Sequence, residues 1–463
     1  MRDTLAVPAG KDHNRTLAPS ADHSAIKDLL ENRAMRRLAD VAQLGLYPYL
    51  SIARRTGDSV GSTETGPAHS RLAHSKGVAA YCQRIAATIA YVDTHGRPLL
   101  RDGRRIGLPD RERGLVYTAG LVHDVAQPPF SHSTESEGER LEFHWDHDAK
   151  AIPQLEMAQA EPIVRKMGFG LEELGDALRT PNPWAVIVKA YGDRFDYLLR
   201  DLVALKADPI FIRKTADATK EIIANLVIQF DSAKQPLVEG KIAVREKAQD
   251  ALRQVAAARN YVYERCGLLP ARLAIDAFLV DVIEGVLTKD WNGREFIEEF
   301  RWKGDQDLLN VLPQTPSTLI QSRRFDLEFK PLHSFSFSSI REGRASRIIA
   351  EHGEFRRAVK GLPSVQAADK AHFAQYGMPA TVAFTSPASA KTLNYALMSN
   401  RGKITPFPLQ CDLGDEKSML GVWVHSNVPQ ATQLKMRSDI AQMMGEFYLP
   451  RLELRREVLP PVI

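Results

Sequence analysis

Cysteine is scarce in this 463-residue chain: Cys82, Cys266 and Cys411 stand far apart without CxxC spacing, which argues against a disulfide framework and against a zinc knuckle. Long apolar runs are lacking as well. No stretch approaches the roughly 18 consecutive apolar residues of a membrane span, and the opening MRDTLAVPAGKDHNR holds no apolar signal core, so the chain reads as cytoplasmic with no membrane partner. An excess of one charge sign is also missing. The 61 basic and 57 acidic residues leave only +4, so composition does not advertise nucleic acid, and local arginine clusters must carry any anion recognition. The sequence has no internal repeat, no P-loop and no GxGxxG, which sets aside the common phosphate-cradling loops. With 44% apolar and 25% charged residues it can bury a large core, and its length suggests two or three regions.

What is present centres on LVHDVAQPPFSHSTE, residues 121–135. Adjacent His123 and Asp124 follow an apolar approach, and Pro128-Pro129 breaks the helix, so two unlike metal ligands end a buried helix and face a loop carrying His132 and Glu135. Upstream, His74 heads a stripe with Val78, Cys82, Ile85 and Ile89 at helical spacing. Downstream, Asp193 and Asp196 open a helix whose Leu198, Leu202 and Leu205 face a core, a position that the helix dipole favours for any carboxylate. His132 and Glu135 lie three apart, so on a helical turn the carboxylate can orient the imidazole.

The ordered series H…HD…D resembles the HD superfamily of metal-dependent phosphohydrolases. More narrowly, MRRLADVAQLG, RLAHSKGV, AGLVHDVAQPPFSHSTE, DHDAKAI with GDRFDYLLRD, and ARNYVYERCG resemble, in order, the deoxynucleoside triphosphate triphosphohydrolases, the group of bacterial dGTP triphosphohydrolases and animal SAM-and-HD-domain enzymes. The resemblance implies a metal held by His74, His123, Asp124 and Asp193, the last preferred to Asp196 because a basic residue, Arg194, follows it. It implies His132 as catalytic histidine, Glu135 as its acidic partner and His147 as a second histidine on the phosphates. It assigns Gln43 and Asp201 to the sugar 3′-hydroxyl, Leu44 to crowding the 2′ position and Tyr197 to packing at the sugar. Arg71, Arg194 and Arg259 are implied to meet phosphate. Gln127 stands where animal members carry histidine; it can donate to a phosphate oxygen but cannot transfer protons. The family's base-contacting Tyr-Gln pair is not evident past Arg259.

Two imidazoles and two carboxylates suit a divalent ion and leave positions open for water and phosphate; mixed N and O donors without thiolate favour manganese or iron, with magnesium and zinc as alternatives. The expected fold is mainly α, a helical HD-domain core with a C-terminal α+β region. Its expected parts are a flexible arm over 1–22, a helical core over 23–324, and a region over 325–463 where FKPLHSFSFSS, PATVAFTS, KITPFPLQC and GVWVHSNV read as strands before a helix from Gln433 to about Tyr448. The resemblance implies oligomer contacts there and a homo-oligomer. The function it implies is cleavage of a deoxynucleoside triphosphate to deoxynucleoside and tripolyphosphate. The alternatives are an HD phosphohydrolase for a monophosphate or modified nucleotide, and a nucleotide-sensing or single-stranded nucleic-acid-binding protein on the same scaffold.

Overall fold

The computed structural model describes residues 23–50, 69–134, 145–179, 182–230, 240–267, 269–290, 293–338, 352–385, 393–409, 417–444 and 454–455. The expected arm over 1–22, residues 51–68, Glu135 and Cys411 lie outside them. Helix dominates, and the longer strands lie in the last third, so the fold is mainly α with a C-terminal α+β part, although short strands between Ala90 and Arg245 also interrupt the expected helical core. Among the described residues no helix is long and apolar enough to cross a membrane, and Cys82 and Cys266 are buried free thiols.

Two helices set the frame of the core. Ser70 caps Arg71–Thr88, its hydroxyl accepting from the Ala73 amide at 3.2 Å, and the stripe Val78, Cys82 and Ile85 is fully buried. Asp110–Val122 starts after Pro109 with Asp110 and Glu112 in its first turn, where the dipole welcomes carboxylates. Gly120 lets the two helices touch, for a Cβ there would meet the Cys82 sulfur at 2.8 Å. This helix ends at Val122, so His123 is its C-cap and Asp124 lies in the following turn. Arg37, 5% exposed, donates to the Val125 carbonyl at 3.0 Å and to that of Gln127, pairing buried carbonyls of the segment that follows the helix.

Two segments depart from the sequence expectation. In the sequence Ala34, Leu38, Val41 and Ala42 recur at helical spacing before Gly45, but the helix breaks early: Arg33–Arg36 is α-helical and Arg37–Asp40 is 3₁₀, after which residues 42–45 form a turn with Gly45 at φ +53°. Partners outside the helix claim its donors, since the Ala42 amide bonds Asp305 Oδ2 at 2.9 Å and the Gln43 amide bonds the His69 carbonyl at 2.9 Å. Asp193, expected in a first helical turn, instead ends a π-helical run, Val186–Asp193, and Arg194–Ala204 continues as α-helix. A second π-helical run, Tyr263–Gly267, follows the helix Gln249–Val262 that carries Arg259. Such wide turns are rare and recur beside functional sites.

The strands, in chain order, are β1 (Ala90–Val92), β2 (Leu100–Arg101), β3 (Arg104–Arg105), β4 (Leu226–Gln229), β5 (Lys241–Arg245), β6 (Phe329–Ser338), β7 (Thr381–Thr385), β8 (Leu393–Met398), β9 (Ile404–Leu409), β10 (Lys417–His425) and β11 (Leu454–Arg455). Sheet order is β1-β4-β5-β8-β9 in one sheet and β11-β6-β10-β7 in another, with β2-β3 a hairpin. The first sheet mixes early and late chain: β5 pairs in parallel with β8, Val244 opposite Leu397. The second is antiparallel throughout. It packs on the helix Pro270–Asp290 through Phe278, whose ring lies 5.2 Å from Phe325 and 5.3 Å from Phe329. The last long helix is Gln430–Met443, beginning directly after Pro429 rather than at Gln433.

Candidate active site

Four side chains from three helical segments meet beside a cavity of about 590 Å³, which His123, Asp124 and Asp193 line and behind which His74 is fully buried. His74 comes from Arg71–Thr88, His123 and Asp124 from the end of Asp110–Val122, and Asp193 from the π-helical run. One donor atom each of His74, His123 and Asp124 lies within 4.8 Å of the others. His74 Nε2 is 3.6 Å from Asp124 Oδ2 and 3.1 Å from Asp193 Oδ1, while His123 Nε2 is 3.4 and 3.8 Å from the same atoms. Neighbouring ligands about 2.1 Å from one ion stand about 3 Å apart in octahedral geometry, so these donors need only draw in slightly.

The other ring nitrogens decide which lone pairs are free. His74 Nδ1 donates to Asp196 Oδ2 at 2.8 Å and His123 Nδ1 donates to the Gly120 carbonyl at 2.9 Å, since carboxylate and carbonyl oxygens can only accept. Both Nε2 atoms are buried and have no hydrogen-bond partner. Burial alone would push the His74 pKa down, but the Asp193 and Asp196 carboxylates win and raise it to about 9. Burial likewise works against the ionised carboxyl of Asp124, which His123, Arg71 and His74 hold well below the usual range. The cluster therefore calls for positive charge at the point where the lone pairs converge, and a divalent cation fits it.

Asp196 is the support that spacing alone did not distinguish. It is 2% exposed, also accepts from Arg200 Nε at 2.7 Å, and lies hard against Gly77, where any Cβ would overlap its carboxylate. Gly77→Ala is therefore expected to displace Asp196, loosen His74 and destabilise the protein by about 1–3 kcal/mol through overpacking. A thermal melt paired with a metal titration checks this; an unchanged melt and unchanged metal affinity would contradict it.

Around this candidate metal cluster the cavity wall brings together most residues expected from sequence. His132 and His147 face each other with ring centroids 5.5 Å apart. Asp146 caps the helix His147–Met157, which sets His147 Nε2 3.6 Å from Asp124 Oδ1. Gln43, Leu44, Tyr197, Asp201, Arg194 and Arg259 all line the wall. Gln43 Oε1 and Asp201 Oδ1 are buried without a hydrogen-bond partner, and burial raises the Asp201 pKa to about 8. Arg259 donates to the Tyr263 hydroxyl at 3.3 Å with its guanidinium 4.4 Å from that ring's centre.

Two placements differ from the expectation. Gln127 is fully buried and absent from the cavity lining; its Nε2 sits 3.5 Å from Asp124 Oδ1, so it neighbours the Asp124 carboxylate rather than open space. Arg71 reaches the wall, yet its donors are engaged: Nη1 with Asp124 Oδ2 at 2.5 Å, Nε with Ser131 Oγ at 2.9 Å and Nη2 with the Gln43 carbonyl at 3.4 Å. The loop between Asp124 and His132 runs through Phe130 and Ser131 at φ 57° and 54°, conformations costing roughly 1–3 kcal/mol each for such residues. Asp305 Oδ1, accepting from the Phe130 amide at 2.6 Å, and Ser131 Oγ, donating to the Ala42 carbonyl at 2.6 Å, hold it. Asp305 thereby ties this loop to the Gln43–Gly45 turn. Lys189 also lines the cavity, paired with Asp148 at 2.7 Å. Asp305 opens DQDLLNVL, a stretch that resembles a helix of the family without any site role implied, and Lys189 carries no motif signal, because both act through folded neighbours.

A family profile described as HD domain matches residues 71–179, which include His74, His123 and Asp124. The chain carries an HD domain. That domain places the protein in the HD phosphohydrolase superfamily. Among curated proteins, the chain is similar to an uncharacterized Bacillus subtilis protein, YwfO, at 31% identity over 38% of this chain and 35% of that protein. It is also similar to an uncharacterized Mycoplasma pneumoniae protein, the MG461 homolog, at 26% identity over 38% of each chain. The matched part is thus little more than a third of those relatives' length. Asp193, the Arg194 helix and all of β4–β11 follow the HD match, so the domain's boundary does not contain the whole cavity.

Proposed function

We propose that the protein is a metal-dependent phosphohydrolase that cleaves deoxynucleoside triphosphates to deoxynucleoside and tripolyphosphate. The observation that carries the reading is one cavity lined by His123, Asp124 and Asp193, beside which the unpartnered imidazole nitrogens of His74 and His123 converge, and lined as well by the cations Arg194 and Arg259 and the acceptors Gln43 and Asp201. His74, His123, Asp124 and Asp193 would hold the ion, which supplies Lewis acidity toward a phosphate oxygen and lowers the pKa of water. Arg194 and Arg259 bind the negatively charged chain, and Gln127 and Arg71 hold Asp124 in place. Water attacks the α-phosphorus, the bond from phosphorus to the sugar O5′ breaks, and the leaving alkoxide takes a proton from His132, with His147 beside it as the second proton carrier. Glu135 is proposed as the acidic partner of His132.

The substrate class rests on the polar wall. Gln43 Oε1 and Asp201 Oδ1 are acceptors awaiting a donor, which a sugar 3′-hydroxyl provides. Leu44, 8% exposed, offers nothing to a 2′-hydroxyl, and burying that group unpaired costs about 1–3 kcal/mol, or roughly 5- to 150-fold in specificity. Incubation with dATP, ATP and dAMP, with manganese or iron supplied and products resolved by ion exchange, is expected to show preference for dATP and release of tripolyphosphate. Orthophosphate alone, or equal rates on ATP and dATP, would overturn this reading in favour of another nucleotide.

A further inference from the structure

Arg194 reaches the cavity from the residue after Asp193, but what holds it there comes from elsewhere. Its Nη1 donates to the Tyr395 hydroxyl at 2.9 Å across 201 residues of sequence, and its guanidinium carbon lies 5.3 Å from the centre of that ring. Tyr395 sits in β8, is 4% exposed, and is backed by the Tyr191 ring at 5.7 Å. Its strand is fixed on both sides, by β5 and by β9, where Tyr395 stands opposite Phe407. Among the described residues Arg194 has no ion-pair partner; the phenol is its polar contact. An aromatic face and a neutral hydroxyl support a guanidinium without cancelling its charge, whereas a carboxylate in the same place would answer it internally. Ordering the side chain beforehand also removes an entropy loss that an incoming anion would otherwise bear.

We propose that Tyr395 is a positioning residue for anion binding: it holds Arg194 charged, ordered and aimed into the cavity, which makes β8, beyond the HD domain, part of the active site. The identity of the anion as a triphosphate chain rests on the function proposed above; the geometry of the arginine and the tyrosine does not. A purely structural tyrosine would need only its ring in the Tyr191 stack, so the hydroxyl is the discriminating atom.

The test is a double-mutant cycle on the full chain, with inorganic tripolyphosphate titrated calorimetrically in the presence of EDTA so that no metal competes. Tyr395→Phe, which keeps the ring, is expected to weaken binding roughly three- to tenfold, as loss of one hydrogen bond to a charged group would. Arg194→Gln is expected to weaken it further, and the double variant to bind no worse than Arg194→Gln alone, because the tyrosine acts through the arginine. With dATP, the Tyr395→Phe loss should fall on KM more than on kcat. Unchanged tripolyphosphate affinity in Tyr395→Phe, additive losses in the double variant, or no binding by the wild-type chain would each overturn the proposal. Should wild-type protein bind tripolyphosphate yet leave dATP intact, the triphosphohydrolase reading fails and the calorimetric cycle still decides the role of Tyr395.

Discussion

Asp193→Asn is expected to leave purified protein without bound metal and without measurable hydrolysis, while Asp196→Asn retains the metal more weakly. The two carboxylates are three residues apart but meet opposite nitrogens of one ring: Asp193 Oδ1 lies 3.1 Å from His74 Nε2, and Asp196 Oδ2 accepts from His74 Nδ1 at 2.8 Å. Removing charge at Asp193 deletes one of four donors. At Asp196, asparagine can still accept one hydrogen bond through its oxygen, so the ring keeps its orientation in part, and metal affinity should fall by about 10–100-fold, as for other groups that orient a ligand. Elemental analysis and competition with a chelating dye read both effects. A full metal complement in Asp193→Asn, or a greater loss in Asp196→Asn, would exchange their roles.

Arg71→Ala is expected to produce the largest loss of stability, and the loss should depend on metal. Arg71 is 3% exposed and faces the Asp124 carboxylate, itself 3% exposed, at 2.5 Å. Deleting one member of a buried ion pair leaves an unanswered charge and typically costs about 3–5 kcal/mol. In chelated protein that whole penalty should appear as a lower urea midpoint. With metal added, the ion answers Asp124 in place of the guanidinium, so the difference from wild type should shrink. Arg71→Lys should not restore activity, since a single ammonium cannot reach Asp124, Ser131 and the Gln43 carbonyl together. Equal urea midpoints for wild type and Arg71→Ala in EDTA would remove the ion pair from the account.

That His74, His123, Asp124 and Asp193 belong together was implied by the ordered resemblance, and the cues that carry the first three of them are local. A histidine heading an apolar stripe must point inward, and adjacent residues at a broken helix end share a location. The C-terminal strands were legible for the same reason, as runs of β-formers. What escaped was set by groups far apart in sequence. The Gln43 turn departs from its helical spacing because Asp305 and the His69 carbonyl take its amides. Gln127 looked like a loop residue free to face phosphate, yet Arg37 captures its carbonyl and the chain turns its amide toward Asp124. Spacing alone does not tell Asp193 from Asp196, and only the resemblance, through the Arg194 that follows, favours Asp193; the π-helical run changes the angular step between successive side chains just before them.

The parallel pairing of β5 with β8 has a consequence for how the molecule is made. Val244 must wait for Leu397, so the helices bearing the HD ligands leave the ribosome long before the sheet that flanks them can close. Joining strands across so long an intervening chain carries a high loop-closure entropy and slows folding. During that interval the β5 edge presents unpaired amides and carbonyls, a template that a foreign strand can occupy. Nascent chains stopped short of β8 should therefore be the species that aggregates or engages chaperones.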